Sequence, residues 1–294
     1  MHHSTRPVSG DAALSVTQPF DPEGGDRTTP ALPALLSTET VLGVQHWTER
    51  LFSFTLTRDP GFRFQSGQFT LLGLLVDGRP LLRPYSMASA PYDATLEFLS
   101  VKMANGPLTS RLRHIAPGAV VLIGRKPTGT LVQDSLLPGR TLYLFATGTG
   151  LAPFLSLIKD PDLYARFDRV VLTHTSRLVR ELVHAEHITQ ELPRHELLGE
   201  MVRERLIYYP SVTGEAFRTP GRITGLIESG KMGADLGLPP LDPATDRAMI
   251  CGSTALLADL GALLVRRGFR EGSLSRPGEF VIEKAFVARS MAHP

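Results

Sequence analysis

The sequence has one cysteine, Cys251, among its 294 residues. One thiol cannot form an intramolecular disulfide, and an iron–sulfur cluster typically needs four thiolates, so we expect neither in this chain. A reducing cytoplasm is the expected location. The nine histidines include no close ligand pair of the H-E-x-x-H type, and His184 and His187 lack further ligands at a recognisable spacing. We therefore expect no metal site.

Long apolar runs and a strong net charge are also missing. No apolar run reaches the roughly 18 residues that a membrane helix needs. A formal net charge of +2 is too small to indicate nucleic-acid binding. We expect no membrane insertion, no nucleic-acid partner and a monomer. The apolar fraction of 42% is that of a globular protein, and the chain is long enough for two domains.

Residues 1–33 contain five prolines and a Gly24-Gly25 pair but almost no periodic apolar pattern. This composition predicts a disordered N-terminal extension. The segment also lacks a basic stretch followed by an apolar core, so it does not read as a secretory signal.

Residues 34–136 contain short segments rich in β-branched and aromatic residues, separated by Gly and Pro turns at intervals near ten residues. This pattern is typical of an antiparallel barrel. One helix is expected after Pro107, which suits a first helical position. Its amino end, with Thr109, would suit a pyrophosphate, although an ordinary capped helix is the alternative. The predicted strands are 40–45, 51–57, 68–74, 83–87, 95–102 and 120–124.

Residues 137–294 show a different pattern, in which apolar strands alternate with helices. Such alternation predicts a parallel sheet with helical crossovers. The predicted strands are 142–146, 170–174, 206–209, 248–251 and 280–283, and the predicted helices are 151–158, 179–190, 222–228 and 255–266.

Three short motifs contain residue types that suit the binding of a dinucleotide. In Arg83-Pro84-Tyr85-Ser86, a guanidinium can pair with a pyrophosphate while a ring and a hydroxyl flank a planar heterocycle, and Pro84 favours the extended backbone this needs. Gly148 and Gly150 follow a predicted strand and would let the backbone approach a phosphate. Pro153 stands at the third glycine of G-x-G-x-x-G, so that fingerprint is not met. Cys251-Gly252-Ser253 ends another strand, where a buried thiol before a turn is the alternative.

Six motifs occur in order along the chain: Arg83-Pro84-Tyr85-Ser86, Gly106-Pro107-Leu108-Thr109-Ser110, Lys126-Pro127-Thr128-Gly129-Thr130-Leu131, Thr147 to Pro153, Cys251-Gly252-Ser253 and Val281-Ile282-Glu283-Lys284-Ala285-Phe286-Val287. Together they resemble the bacterial ferredoxin/flavodoxin–NADP⁺ reductases of the plant-type superfamily, over about residues 35–287. The resemblance implies an antiparallel FAD-binding β-barrel followed by a parallel-sheet, Rossmann-like NADP-binding α/β domain. The flavin would lie between the two domains.

The resemblance also implies roles for single residues on the flavin side. Arg83 would bind the FAD pyrophosphate, Tyr85 would stack on the isoalloxazine, and Ser86 would form a hydrogen bond with flavin N5. Phe286 would stack on the adenine. Further FAD contacts are expected at Met87, Val101, Lys102, Pro107, Leu108, Thr109 and Thr149.

On the nicotinamide side, the resemblance implies a reaction centre of Ser86, Cys251 and Glu283, with Ala285 beside the flavin face that the nicotinamide approaches. Arg177 and Arg222 would bind the 2′-phosphate of NADP. Gly214 stands where relatives have a third arginine, so either Arg218 or Arg180 substitutes for it or the preference for NADPH is weaker than usual. Other NADP contacts are expected at Thr147, Gly148, Gly150, Cys251, Gly252 and Ser253.

The charge of the predicted barrel bears on the partner. Residues 35–140 carry 11 Lys/Arg against 7 Asp/Glu, a balance that could present a basic rim to an acidic ferredoxin or flavodoxin, although an ordinary mixed surface is the alternative. The function that the resemblance implies is FAD-dependent ferredoxin/flavodoxin–NADP(⁺) oxidoreductase. An NAD(P)H-dependent flavin reductase or oxygenase reductase component is the alternative within the same chemistry. A flavin- or nucleotide-binding sensor without turnover is the alternative of another class.

Overall fold

The computed structural model describes residues 33–285, which belong to one compact unit. The predicted disordered extension lies outside the described residues apart from Pro33, and so do Phe286 and the tail that follows it. The predictions made for those segments are therefore not addressed by the structure.

The first half of the described chain is a curled sheet of six antiparallel strands in the order β4-β3-β6-β1-β2-β5. Its end strands meet at a bridge between Met87 and Phe98, where Ala88 N donates to Glu97 O at 2.8 Å. The predicted antiparallel barrel is thus confirmed. The strands are β1 Leu36–His46, β2 Leu51–Leu56, β3 Phe69–Val76, β4 Arg79–Ser86, β5 Leu96–Val101 and β6 Val120–Gly124.

The β3–β4 hairpin sets the position of the Arg83–Ser86 motif. Its two turn residues, Asp77 and Gly78, have positive φ values of 50° and 72°, which is the geometry of a two-residue hairpin turn compatible with strand twist. This turn fixes the register, in which Tyr85 pairs with Thr70. The Tyr85 side chain consequently packs against the aromatic core of the barrel.

The second half is a sheet of five parallel strands in the order β11-β10-β7-β8-β9. Its strands are apolar and almost wholly buried, because helices cover both faces and two separate apolar clusters form there. The chain moves outward from β7 through β8 to β9 and then returns to β10. Open parallel sheets bind ligands at such a reversal, outside the carboxyl ends of the strands. The strands are β7 Thr141–Thr147, β8 Arg169–Ser176, β9 Leu206–Val212, β10 Asp246–Cys251 and β11 Phe280–Ile282.

The helices are short except for the last. The helix predicted after Pro107 is a single turn that starts at Thr109. Three helices of six or seven residues, α3 Pro161–Arg166, α4 Gly199–Arg205 and α6 Lys231–Leu236, were not predicted. No helix within residues 33–285 is long and apolar enough to cross a membrane. The helices are α1 Thr109–Leu112, α2 Ala152–Leu157, α3 Pro161–Arg166, α4 Gly199–Arg205, α5 Ile223–Glu228, α6 Lys231–Leu236 and α7 Thr254–Arg266.

The predicted helix at 179–190 is wrong. The chain forms one 3₁₀ turn at Val179–Glu181, leaves helical geometry at Leu182, and later forms a short π-helix at His187–Glu191. The carboxylate of Glu181 accepts hydrogen bonds from the backbone N–H groups of Arg177 and Leu178, at 3.1 and 3.2 Å. These bonds cap the start of the 3₁₀ turn, and the turn does not continue because Leu182 has a ψ of 46°, outside the helical region.

Candidate active site

A cleft of about 1160 Å³ lies between the barrel and the carboxyl ends of β7, β8 and β10. Both halves of the chain contribute predicted site residues to its lining. Those residues are Arg83, Tyr85, Ser86, Val101, Lys102, Pro107, Leu108, Thr109, Thr147, Gly148, Thr149, Gly150, Arg177, Arg222, Cys251, Gly252, Ser253 and Ala285. The structure therefore brings together residues that are up to about 200 positions apart in the sequence.

Tyr85 is held at the barrel edge of the cleft. Its hydroxyl forms a hydrogen bond with Ser100 Oγ at 2.9 Å, and its ring packs edge-on against Phe98 with centroids 6.3 Å apart. Burial raises the pKa of the phenol, so the hydroxyl stays protonated. The ring is consequently fixed before any ligand arrives.

Ser86 and Arg83 offer unused polar groups to the cleft. Ser86 is 6% exposed, and its hydroxyl has no hydrogen-bond partner within residues 33–285. A buried hydroxyl without a partner costs free energy, so this atom is suited to bond a ligand. Among residues 33–285, the side chain of the exposed Arg83 donates only to its neighbour, Leu82 O, at 2.7 Å. Its other N–H donors have no partner in the described part of the chain and can bond to an anion.

Glycines allow the ends of β7 and β10 to approach each other. A Cβ atom on Gly150 would overlap Cys251 O, and one on Gly252 would overlap Thr147 Oγ1. Gly148 has a φ of +52° and no atom within 4 Å of its Cβ position, so it faces open space. The lining is thus mainly backbone here, and such a surface lets a phosphate or a ring come close.

Glu283 is buried behind the cleft rather than in its lining. It is 4% exposed, and its carboxylate oxygens accept from Ala285 N at 2.9 Å and Thr130 N at 3.2 Å. Burial raises the pKa of this carboxyl. Burial, with a smaller contribution from Glu283, also raises the pKa of the Cys251 thiol, which stays neutral.

Met87 is the other predicted residue of the described chain that does not line the cleft. Its side chain is fully buried in the barrel core. Its N–H donates to Gln68 O at 3.2 Å. Any contact of Met87 with a ligand is therefore limited to its backbone.

The cations that line the distal part of the cleft are Arg177 and Arg222. Neither guanidinium has an ion pair or hydrogen bond that the structure records within residues 33–285. The two proposed substitutes for the missing arginine, Arg180 and Arg218, are exposed and do not line the cleft. Arg218 instead lies over the Phe217 ring at 5.7 Å.

Sequence reasoning missed several residues of the lining. Arg50 reaches the cleft because the β1–β2 turn lies beside the end of β5, where Lys102 N donates to Arg50 O at 2.8 Å. That neighbourhood depends on long-range strand pairing, and no local pattern around Arg50 indicates it. The other missed residues include Met103, Thr213, Thr224 and Asp259.

An antiparallel barrel joined to a parallel α/β domain, with a glycine-lined cleft between them, defines the class of two-domain flavin–nicotinamide reductases. The chain is 60% identical over 249 residues to ferredoxin–NADP reductase A of Sorangium cellulosum, covering 85% of this chain and 90% of the relative. It is 54% identical over 255 residues to the ferredoxin–NADP reductase of Pseudomonas aeruginosa, covering 86% and 99%. The chain belongs to the ferredoxin–NADP reductase family.

Two further comparisons agree with this assignment. The flavodoxin/ferredoxin–NADP reductase of Rhodobacter capsulatus is 49% identical over 269 residues, covering 90% of this chain and all of the relative. A ferredoxin NADP⁺ reductase from Neisseria gonorrhoeae, solved with bound FAD and NADP, superposes with a TM-score of 0.78 at 29% identity and covers 85% of this chain and 99% of its own. No family model matches the sequence.

Proposed function

We propose that the protein is an FAD-dependent ferredoxin/flavodoxin–NADP(⁺) oxidoreductase. It exchanges a hydride between NADP(H) and FAD, and single electrons between FAD and a small carrier protein. The observation that carries this proposal is the single cleft that brings Arg83, Tyr85 and Ser86 of the barrel to the glycine-rich ends of β7 and β10.

The barrel residues fit FAD. The unpartnered Ser86 hydroxyl is placed to bond a ring nitrogen, and the fixed Tyr85 ring offers a flat surface beside it. Arg83 has free donors for the pyrophosphate, and the backbone at Leu108 and Thr109 lines the same wall. FAD, when bound, supplies the hydride and one-electron chemistry, and these residues bind and orient it.

The residues at the ends of β7 and β10 fit the nicotinamide half of NADP(H). Hydride transfer needs no general base, but it requires the two reacting atoms to be held at roughly 3–3.5 Å. Gly150, Gly252 and Cys251 provide a surface without bulky side chains for this approach, and Ala285 leaves the path open. Glu283, whose pKa is raised, holds a proton close behind this surface more readily than an exposed carboxyl would.

The carrier is a ferredoxin or a flavodoxin, as the family implies. Two exposed cations at the cleft, Arg50 and Arg83, lie where an acidic carrier would approach the flavin edge. The cytoplasmic location and the monomeric state stay predictions.

The experiment is to purify the protein, quantify bound flavin, and measure NADPH-dependent reduction of a ferredoxin and of a flavodoxin separately. We expect about one FAD per chain and turnover with at least one carrier. Turnover with free flavin but with neither carrier would favour the flavin-reductase alternative. A flavin-loaded protein that NADPH does not reduce would favour the sensor.

A further inference from the structure

Arg177 follows β8 and lines the distal part of the cleft. Its guanidinium has no partner that the structure records within residues 33–285. The position of such a side chain depends on how firmly its backbone is held, because an arginine side chain has many rotamers. The backbone around Arg177 is held by an unusual set of contacts.

Three successive N–H groups, of residues 177, 178 and 179, donate to carboxylates. Glu181 Oε2 accepts from Arg177 N at 3.1 Å and from Leu178 N at 3.2 Å. Glu215 Oε1, from the segment after β9, accepts from Val179 N at 2.5 Å. The turn is therefore held by hydrogen bonds within itself, to Glu181, and by one to the segment after β9, at Glu215. Hydrogen bonds to carboxylates are stronger than those to neutral acceptors.

Gly214 allows the segment after β9 to come close enough for the hydrogen bond between Val179 N and Glu215. Its N–H donates to Arg177 O at 2.8 Å. A Cβ atom on Gly214 would lie 2.7 Å from Arg177 O and 2.8 Å from Arg177 Cγ. The arginine that the family resemblance leads one to expect at this position cannot be placed there without displacing the turn.

We propose that Glu181 and Glu215 are positioning residues for Arg177, and that they set the preference for adenine nucleotides with a 2′-phosphate. The proposal rests on the proposed NADP(H) function. A carboxylate beside a phosphate site would ordinarily repel the ligand, and Glu181 itself lines the cleft. Here the backbone N–H groups that donate to both carboxylates offset part of their negative charge. A turn held in advance lets the guanidinium bind the phosphate at a lower cost in entropy.

The test uses the FAD holoenzyme and isothermal titration calorimetry with 2′,5′-ADP and 5′-ADP, which separate phosphate recognition from hydride transfer. In Glu181→Ala, we expect affinity for 2′,5′-ADP to fall about tenfold, with affinity for 5′-ADP changed by less than about twofold. Glu215→Ala should act in the same direction. Glu181→Gln should keep most of the affinity for 2′,5′-ADP, because one amide oxygen can accept from both N–H groups, although more weakly than a carboxylate. Glu196→Ala, the loss of an exposed carboxylate that does not line the cleft, is the charge-matched control.

Equal losses for both ligands would overturn the proposal, since they would indicate a general collapse of the site. Tighter binding of 2′,5′-ADP by Glu181→Ala would also overturn it, because the carboxylate would then act only by repulsion. If Glu181→Ala does not fold, the same titrations are made with Glu181→Gln and Glu215→Gln. Loss of the preference for 2′,5′-ADP over 5′-ADP in both variants would contradict the proposed role. A wild-type protein that does not prefer 2′,5′-ADP would instead remove the NADP(H) function itself.

Discussion

At the scale of single residues, the unpartnered hydroxyl of Ser86 indicates a ligand-binding position. Five buried side-chain polar atoms within residues 33–285 lack a hydrogen-bond partner: the hydroxyls of Ser66, Ser86, Ser135 and Ser156, and His184 Nε2. Of these, only Ser86 belongs to a residue that lines the cleft. A buried polar atom without a hydrogen-bond partner lowers the stability of the folded protein, and a functional site tolerates this loss where a ligand supplies the partner.

Replacing Ser86 by Ala should slow reduction of bound FAD by NADPH by about ten- to a hundredfold, the loss expected for one hydrogen bond at the reacting ring. FAD should remain bound, because Arg83 and Tyr85 are intact. The measurement is rapid-mixing reduction at saturating NADPH. Ser135→Ala is the control, since it removes an equally buried and unpartnered hydroxyl away from the cleft. Equal rates in wild type and Ser86→Ala would refute the proposed contact.

Glu283 makes a pH-dependent contribution to stability. Its folded-state pKa is raised by burial, so the neutral carboxyl favours the folded protein. That contribution is complete below the ordinary glutamate pKa of about 4.3 and is lost as the pH rises through the folded value. Relative to wild type, Glu283→Gln should therefore gain free energy of unfolding as the pH rises from 4 to 8. Urea unfolding across this range measures the difference, and a difference independent of pH would contradict the raised pKa.

At the scale of elements, the approach of the β7 turn to the end of β10 depends on Gly150. We expect Gly150→Ala to lower the free energy of unfolding by about 1–3 kcal/mol, because its Cβ would overlap the Cys251 carbonyl and the backbone must move. NADP⁺ binding should weaken as well. Gly225→Ala in α5 is the matched control: nothing lies within 4 Å of its Cβ position, and alanine should stabilise the helix by about 0.5–1 kcal/mol. Denaturant unfolding with NADP⁺ titration checks both, and equal effects of the two would be inconsistent with the close approach.

The elements also show what the sequence could predict. Short segments rich in β-branched and aromatic residues between Gly and Pro turns, and apolar strands alternating with helices, predicted both sheets. The ends of those strands place most of the predicted site residues in the cleft. The predicted helix at 179–190 was wrong because the chain leaves helical geometry at Leu182 and then forms a π-helix, and neither feature shows in a helical pattern of apolar residues. The lack of room for a side chain at Gly214 could not be predicted, because it depends on contact between the segments after β8 and β9. Arg50 was missed for the same reason, as strand pairing alone brings it to the cleft.

At the scale of the whole molecule, the two sheets share one apolar cluster. Ala88 and Leu99 of the barrel side belong to the same cluster as Leu151 and Phe154 of the α/β side. The wall that bears Tyr85 and Ser86 is therefore joined by packing to the wall that bears the glycine turn. Such packing keeps a cleft largely pre-formed for its ligands.

Two buried histidines of the α/β half should make the protein sensitive to acid. His184 lies against Trp47 with ring centroids 5.4 Å apart, and burial lowers its pKa to about 4; burial does the same to His174. These lowered values give stability that is present above the ordinary pKa of about 6.5 and is lost as the pH falls towards 4. We expect the protonation of each histidine to lower the free energy of unfolding by about 2–3 kcal/mol between pH 7 and pH 4.5. Urea unfolding of His184→Gln should show a smaller loss than wild type, and His114→Gln, at an exposed site, is the control. A loss equal to that of wild type would contradict the assignment.

The central claim is that one cleft holds FAD and NADP(H) together for hydride transfer. Its most direct test is rapid mixing of the oxidised holoenzyme with NADPH and, separately, with NADH, followed by the absorbance of bound flavin. The account predicts rapid bleaching that saturates at lower concentrations of NADPH than of NADH, with recovery on addition of oxidised ferredoxin or flavodoxin. A flavin-loaded protein that neither nucleotide bleaches would contradict it.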